Sequence, residues 1–439
     1  MALETLLESQ YEAARILNMP VIAPDIRVHD LGTVVLGDTE YPALRAHCGE
    51  EGLIGKGGIR MASYPTMEAA KATTRELSAE MLTKLALRDF TDEYQGAKGL
   101  IVVDAMKLDH PEKEEVARQY EALMENAGLA GYDIDVPAGD VGTNGLADIY
   151  ALERQRWHPE DKFWMASVTG KSPELGGLPF RTAATGWGVY VAHRSLMNAR
   201  GLHHADSTVQ GFGNVGAWYA HFASEDPEER LTISAISERG GTLSTDDPRG
   251  LKITREMVES IGDNPKYNEE KYGPKLTALA RMIEDNQRGI TLHLSSDPKE
   301  ILTRRTDYFV PAAMGNVIGD ENVASLGARL GVIEAANGPM LPKAHRYLIE
   351  KGLDIVPDVV ANGGGVACSN MERQANIDNV KLPTSQVQHD LTRTTEELMR
   401  NMFIVAENMK TVDLRVAAAG LSAARIAHDH KLVAELLTA

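Results

Sequence analysis

Four side chains in the first 140 residues are suited to acid–base work beside an anionic substrate: Lys56, Lys84, Lys98 and Asp140. Lys56 lies in a glycine-dense loop, HCGEEGLIGKGGIRMA at 47–62, which also carries Arg60. Lys84 stands on the apolar face of helical text, beside Met81 and Leu85. Lys98 occupies a Gly-Ala-Lys-Gly turn at 96–99 that leads into a buried strand, GLIVVD at 99–104. A lysine projecting from an apolar face is costly unless an anion meets it. Desolvated near other cations, its pKa is driven down toward values useful for proton transfer. Asp140, in the tight turn of PAGDV, offers the matching carboxylate. Each of the four alone is equally compatible with a plainer role, since most lysines are solvated and aspartates commonly cap turns. Their combination points to chemistry.

A second constellation lies downstream. STVQGFGNVGAW at 207–218 contains Gly211, Gly213 and Gly216 in a G-x-G-x-x-G, with Phe212, Asn214 and Val215 between them. A β-prone Thr208–Val209 precedes it and a helix-compatible run, 215–223, follows. In that context the first glycine permits a tight turn and the second lets backbone amides approach a pyrophosphate. The third lets the helix pack on the strand, and the helix N-terminus favours the anion. The next strand, LTISAIS at 231–237, ends at Glu238, whose carboxylate would accept the ribose hydroxyls of NAD. Arg239 argues the other way, because a guanidinium can pair the 2′-phosphate of NADP. The cofactor is therefore NAD or NADP, with a lean to NAD. Asn316, Asn337 and Asn362 follow or end predicted strands, where amides can hold nicotinamide or substrate or simply make turns. Ser369 can hydrogen-bond a ligand or cap a helix. The His203–His204 pair reads as loop, and His428 and His430 as exposed helix, without the clustered partners a metal needs. TGKS at 169–172 is not a P-loop, because Met165 stands where its first glycine belongs.

The elements that must position these residues alternate. Helical text covers 1–20, 66–88, 111–127 and 144–156. Residues 21–36 are β-like, and 133–143 read as a strand running into a Pro/Gly turn. Strands are expected again at 307–313, 331–340, 353–356 and 359–367, with a helix at 341–351 among them. Such alternation is the signature of a doubly wound α/β fold. Residues 171–188 read as the hinge into a nucleotide domain, 241–300 are polar and loosely patterned, and two helices close the chain, the second over 414–437.

The totals bound the possibilities. A chain of 439 residues can hold two or three domains with a sizeable core. A net charge of −18 argues against nonspecific binding to nucleic acid or anionic membrane. No apolar run approaches the roughly 20 residues needed to span a bilayer. The N-terminal MALETLLESQYEAARIL lacks a signal peptide's basic start and apolar block. The two cysteines, Cys48 and Cys368, give no disulfide framework, which suits a reducing cytoplasm.

Taken together, these motifs resemble the glutamate/leucine/phenylalanine/valine dehydrogenase superfamily over roughly residues 47–427. The likeness is carried by KGGIR (56–60), MLTK (81–84), GAKG (96–99) and DVPAGDVGT (135–143). It continues through RTAATGWG, VQGFGNVG, VPAAMGN, EAANGPM and ANGGGV in order, and through the closing LRVAAAGLSAARIA. The resemblance implies an α/β chain in three parts. An N-terminal α/β substrate domain (1–184) precedes a Rossmann-type doubly wound dinucleotide-binding domain (185–375), and C-terminal helices (376–439) return to the first domain. It implies that Lys98 activates water, that Asp140 shuttles protons, and that Lys84 with Asn362 binds the α-carboxylate. Thr185, the Gly211–Gly216 loop, Glu238, Arg239, Ala312, Asn316 and Asn337 would hold the dinucleotide. In glutamate members the residues matching Lys56 and Ser369 bind the side-chain carboxylate, and both are polar here. The activity implied is reversible oxidative deamination of an L-amino acid, most nearly L-glutamate, to a 2-oxo acid and ammonium by a homo-hexamer or other symmetric homo-oligomer. A branched-chain or aromatic amino-acid dehydrogenase and a catalytically silent dinucleotide-binding protein are the alternatives.

Overall fold

A computed structural model describes residues 2–22, 24–140, 142–143, 145–262 and 274–438. The start of the expected helix at 144, and part of the loosely patterned stretch, lie outside the described residues. Two sheets organise the chain. The first has the order β1-β2-β4-β3-β5, formed by Ile26–Leu36 (β1), Thr39–Cys48 (β2), Ile54–Met61 (β3), Tyr94–Ile101 (β4) and Asp135–Gly139 (β5). β1, β2 and β4 pair antiparallel, while β3 runs parallel to both β4 and β5. Helix α1 is Ala2–Leu17, and α2, Met67–Ala86, starts at a Thr66 cap whose hydroxyl accepts the Ala69 amide at 3.1 Å. The second helix covers one face of the sheet, with Leu44, Ala70, Leu82 and Leu100 between them. Helices α3 (His110–Asn126) and α4 (Ala147–Trp157) are served by a separate core of Ile59, Ile101, Val116, Tyr120 and Tyr150.

The glycine-dense stretch at 47–62 is not a loop, as the sequence suggested. Most of it is strand: the end of β2, a short turn, and β3. The Gly-Ala-Lys-Gly turn likewise lies inside β4, which is buried along its whole length. Close approach explains these glycines. A Cβ on Gly96 would sit 2.2 Å from the Ser78 carbonyl of α2, and one on Gly57 would sit 1.6 Å from the Ala97 carbonyl of β4. Without side chains here, α2 settles directly onto the strand. Alternation then places Lys98 on the same face as Gly96 and Leu100, towards α2.

The second sheet has the order β12-β11-β10-β6-β7-β8-β9. Its strands are Ala205–Gln210 (β6), Leu231–Glu238 (β7), Gly241–Ser244 (β8), His293–Ser295 (β9), Thr306–Pro311 (β10), Ala328–Ile333 (β11) and Asp354–Val356 (β12). The first five in that spatial order, β12 to β7, are parallel, and β8 and β9 extend the edge antiparallel. Thus the loosely patterned stretch includes two sheet strands and a helix, Lys275–Asn286. Chain order reverses between β6 and β10, which makes the end of β6 the topological switch point where ligands of such sheets bind. Helices α5 (Ala184–Ala199) and α6 (Asn214–Ser224) pack together beside it.

Residues 359–367 are not a strand. Asp358–Ala361 is a helical turn, and a long helix, Gly364–Ile377, begins almost at once. The glycines that suggested β structure permit helix contacts instead. A Cβ on Gly363 would lie 1.7 Å from Arg88 Nη2, and one on Gly364 would lie 2.2 Å from the Ala184 carbonyl. Three helices close the chain where two were expected: Thr384–Asn408, Leu414–Ile426 and His430–Leu437. The break falls at His428, in left-handed backbone with φ 52°, so that residue is not helical. Leu414–Ile426 packs on α1 and α2, while Thr384–Asn408 packs on α5.

Candidate active site

The parallel strands β3, β4 and β5 deliver three charged groups to one point. Lys98 Nζ forms an ion pair with Asp140 Oδ2, and Arg60 Nε, near the end of β3, reaches the same oxygen at 3.2 Å. The Asp140 turn is fastened by Thr143, whose hydroxyl accepts the Asp140 amide at 2.9 Å and donates to the Ile59 carbonyl of β3. Burial pushes the Lys98 ammonium below the usual lysine range; Asp140 opposes this and Arg60 adds to it. A depressed lysine bonded to a carboxylate is suited to taking a proton from water near neutrality.

The helix covering that face, α2, supplies Lys84, 5% exposed. Its ammonium donates to Glu80 Oε1 at 2.6 Å and to Asn337 Oδ1 at 3.1 Å. Asn337 Oδ1 also accepts from Asn362 Nδ2 at 2.7 Å, and the same Nδ2 donates to the Ala335 carbonyl at 3.2 Å. The Asn362 side-chain oxygen, by contrast, is buried with no partner among the described residues, an acceptor open to a ligand donor. Asn337 thus meets Lys84 directly; the sequence left it open to nicotinamide or substrate, and the resemblance implied a dinucleotide contact. Its turn is braced from below. Asp358 accepts the Gly338 amide at 2.8 Å and Arg415 Nη1 at 3.1 Å, and Arg415 also pairs with buried Glu334. Burial pushes the Asp358 carboxyl up, but Arg415, then Lys84, hold it below its ordinary value.

Lys56 forms a separate pole. Its ammonium, 2% exposed, donates to Thr169 Oγ1 at 3.1 Å, and Thr169 is hydrogen-bonded to Ser369 Oγ. Burial drives Lys56 well below the usual lysine range; Glu372 opposes this, and Arg373, Lys171 and Arg181 reinforce it. β3 itself is held by buried Arg45, which donates to the Gly57 carbonyl at 3.1 Å and to Asp135 Oδ2 at 2.8 Å. Burial favours a protonated Asp135, yet Arg45 and His47 bring its pKa down to about 2.

At the switch point Gly211 turns with φ +96°, and a Cβ on Gly216 would sit 2.0 Å from the Gly211 carbonyl. Open space surrounds the Cβ position of Gly213, which N-caps α6 without a side-chain hydrogen bond. The helix therefore presents its first amides, those of Asn214 and Val215 among them, to a vacant volume that suits a pyrophosphate. Phe212 N donates to Glu238 Oε1 at 2.6 Å, which draws that carboxylate onto the loop, while Arg239 is exposed. Thr185 lies in the first turn of α5, its hydroxyl facing Gly365. Ala312 donates its amide to the Gln210 carbonyl at 2.8 Å. Asn316, in left-handed backbone at φ 58°, donates its amide to the Gly338 carbonyl at 2.8 Å. Gly211, Glu238, Ala312 and Asn337 end or follow β6, β7, β10 and β11, at the C-terminal edge of the second sheet, where Asn337 meets Lys84.

Four residues at these poles received no role from the sequence: Glu80, Thr169, Glu372 and Arg60. Glu80 alone had a readable signal, since AEMLTK places it four residues before Lys84, the spacing of a helical ion pair. Gln95, beside the catalytic turn, is held away by the Leu53 carbonyl and Arg27. Among the described residues no group of His, Cys, Asp and Glu is arranged to hold a metal, and no helix is long and apolar enough to cross a membrane.

The family model described as Glutamate/Leucine/Phenylalanine/Valine dehydrogenase matches residues 176–433. A second, Glu/Leu/Phe/Val dehydrogenase, dimerisation domain, matches residues 38–151. The chain is 32% identical to an NADP(+)-dependent glutamate dehydrogenase of Pyrobaculum calidifontis, over 84% of this chain and 81% of that one. It is 33% identical to an NADP-specific glutamate dehydrogenase of Saccharolobus shibatae, over 72% and 67%. Among solved structures it is similar to a hetero-hexameric glutamate dehydrogenase of Thermus thermophilus in its leucine-bound form. That match has a TM-score of 0.76 at 25% identity and covers 98% of this chain and 96% of that one. A glutamate dehydrogenase of Peptoniphilus asaccharolyticus matches with a TM-score of 0.71 at 26% identity, over 98% of each chain.

Proposed function

Because the chain belongs to the glutamate/leucine/phenylalanine/valine dehydrogenase family, and so is an NAD(P)-dependent amino-acid dehydrogenase, we propose that its substrate is L-glutamate, converted reversibly to 2-oxoglutarate and ammonium. One observation carries the substrate. The Lys56 ammonium is almost wholly buried and, among the described residues, donates to the Thr169 hydroxyl and has no carboxylate of its own. A side-chain carboxylate completes it; a neutral side chain leaves a buried charge unpaired, at a cost of about 3–5 kcal/mol.

In this reading Lys84 holds the α-carboxylate, Asn362, whose Nδ2 is taken up by the Ala335 and Asn337 oxygens, turns its open Oδ1 to the α-amino group, and Lys56 with Thr169 and Ser369 holds the distal carboxylate. A nicotinamide dinucleotide held at the loop after β6 supplies the acceptor for the hydride that leaves Cα. Lys98 takes a proton from the water that attacks the resulting imino carbon. Asp140, steadied by Arg60, passes a proton to the departing ammonia. The carbonyl product, ammonium, the reduced dinucleotide and one released proton balance the amino acid, water and oxidised dinucleotide consumed.

For the cofactor, the lean to NAD drawn from Glu238 gains no support from relatives, two of which are named for NADP. Arg239 is free to meet a 2′-phosphate. Assembly into a symmetric oligomer fits the dimerisation-domain match and the hexameric neighbour, and the mass of the native particle by light scattering tests it. Substrate is tested by reductive amination of 2-oxoglutarate, 4-methyl-2-oxopentanoate and phenylpyruvate with NADH and NADPH in parallel. Preference for either of the last two oxo acids overturns the assignment of Lys56.

A further inference from the structure

Behind the Lys56 pole lies an ion pair that touches no reacting group. Lys171 Nζ and Glu372 Oε1 are 2.6 Å apart, and both side chains are fully buried. Burying two charges gives little net stability, so the pair draws attention to what else it holds. Glu372 accepts the Gly170 amide with both oxygens, at 2.9 and 3.0 Å, and the Lys171 amide at 3.3 Å. The Lys171 ammonium in turn donates to the Val168 carbonyl at 2.6 Å. Residues 168–171 are thereby strapped to helix Gly364–Ile377. Thr169 sits inside that strapped segment, its amide on the Pro137 carbonyl of β5 at 3.0 Å. Glu372 lies three residues after Ser369, on the same face of the helix. One carboxylate therefore sets the spacing between the two hydroxyls, Thr169 and Ser369, that meet at the Lys56 pole.

We propose that Glu372 is a specificity-determining positioning residue, which fixes Thr169 between Lys56 and Ser369 so that the pocket fits a side-chain carboxylate. The inference rests on the glutamate reading above and deepens it. Glu372 stands about one helical turn from the pocket and acts through the loop it clamps. Charge supports the geometry. Lys56 faces Lys171, Arg181 and Arg373, and Glu372 is the carboxylate that opposes its loss of charge.

The test compares 2-oxoglutarate with 2-oxopentanoate, which has the same α-keto acid head and no distal carboxylate. In the unaltered enzyme, the ratio of kcat/KM for the two oxo acids tests the glutamate reading itself; a ratio near one sinks that reading whatever Glu372 does. Glu372→Asp keeps the charge and withdraws the clamp by one methylene. A displacement of about 1 Å costs on the order of 10²-fold in a well-fitted site, so the ratio is expected to fall at least tenfold, mainly through the KM for 2-oxoglutarate. Lys171→Met combined with Glu372→Met removes both buried charges, which such pairs tolerate, together with the amide contacts; it should fold and show the same loss of discrimination. Parallel decreases for both substrates, with the ratio kept in either variant, overturn the proposal and leave Glu372 a structural residue.

Discussion

On the proposed function Lys98 and Asp140 carry the proton chemistry, and their removal should be felt in turnover more than in binding. Lys98→Met is expected to lower kcat by about 10³-fold, within the range of positioned acid–base groups, with the KM for 2-oxoglutarate little changed; steady-state kinetics at saturating cofactor check it. Because burial holds the Lys98 pKa below that of an ordinary lysine, the free amine forms at lower pH, and oxidative deamination should rise with pH well before a solvated lysine would titrate. The glycine loop separates binding from folding. A Cβ on Gly213 meets nothing, whereas one on Gly216 collides with the Gly211 carbonyl at 2.0 Å. Gly213→Ala should therefore keep the melting temperature and raise the cofactor Kd at least tenfold, while Gly216→Ala should lose about 1–3 kcal/mol of stability. At this scale most of the site was legible. Lys56, Lys84, Lys98 and Asp140 stand out because charges on apolar text need partners. Thr169 and Glu372 do not, because a threonine and a glutamate in ordinary text give no sign of the tertiary neighbours that define them.

Among the elements, the sequence misread two glycine clusters in opposite directions, and for one reason. At 54–61 it suggested a loop where there is a strand, and at 359–367 a strand where there is helix. In both places glycine is set by a neighbouring backbone or side chain pressing close, information that local propensity does not contain. Periodicity served well where burial is one-sided, as in α3. That helix carries a group whose titration is measurable. Burial raises the Glu121 carboxyl to about 8, against the pull of Arg154. In the unfolded chain a glutamate releases its proton near pH 4.3. Folding is therefore favoured fully below that pH, and the contribution is lost as pH rises towards and through 8. Glu121→Gln keeps the size and loses the titration. Its melting temperature should gain on the parent protein between about pH 5 and pH 8 and level off above that by thermal denaturation, and equal shifts at every pH would show that Glu121 does not titrate in this range.

Across the whole molecule, the closing helix ties substrate elements to nucleotide elements. From Leu414–Ile426, Arg425 donates to the Ala86 and Leu87 carbonyls at 2.9 Å each, at the end of α2. Arg415, at the other end, reaches Glu334 and Asp358 beneath the Asn337 turn. Arg415→Met leaves two carboxylates buried without their cation, a loss of about 3–5 kcal/mol, visible as a lower denaturant midpoint. It should also raise the KM for 2-oxoglutarate, because Asn337 and Lys84 lose their common brace. The return of the last helices to the first domain was expected from the order of motifs, but the path of force through Arg415 is a property of the assembled chain.

The contact between α2 and β4 has a consequence for how new substrates arise on this scaffold. Since Gly96 brings the α2 backbone at Ser78 and Leu82 directly against β4, main-chain contact fixes the separation of Lys84 from Lys98. On the proposed function, this spacing measures the amino-acid head that every substrate shares. The far end of the pocket is built differently, from the side chains of Lys56, Thr169 and Ser369. On the same proposal, a change of substrate is written in those three side chains, while the spacing for deamination rests on backbone contact.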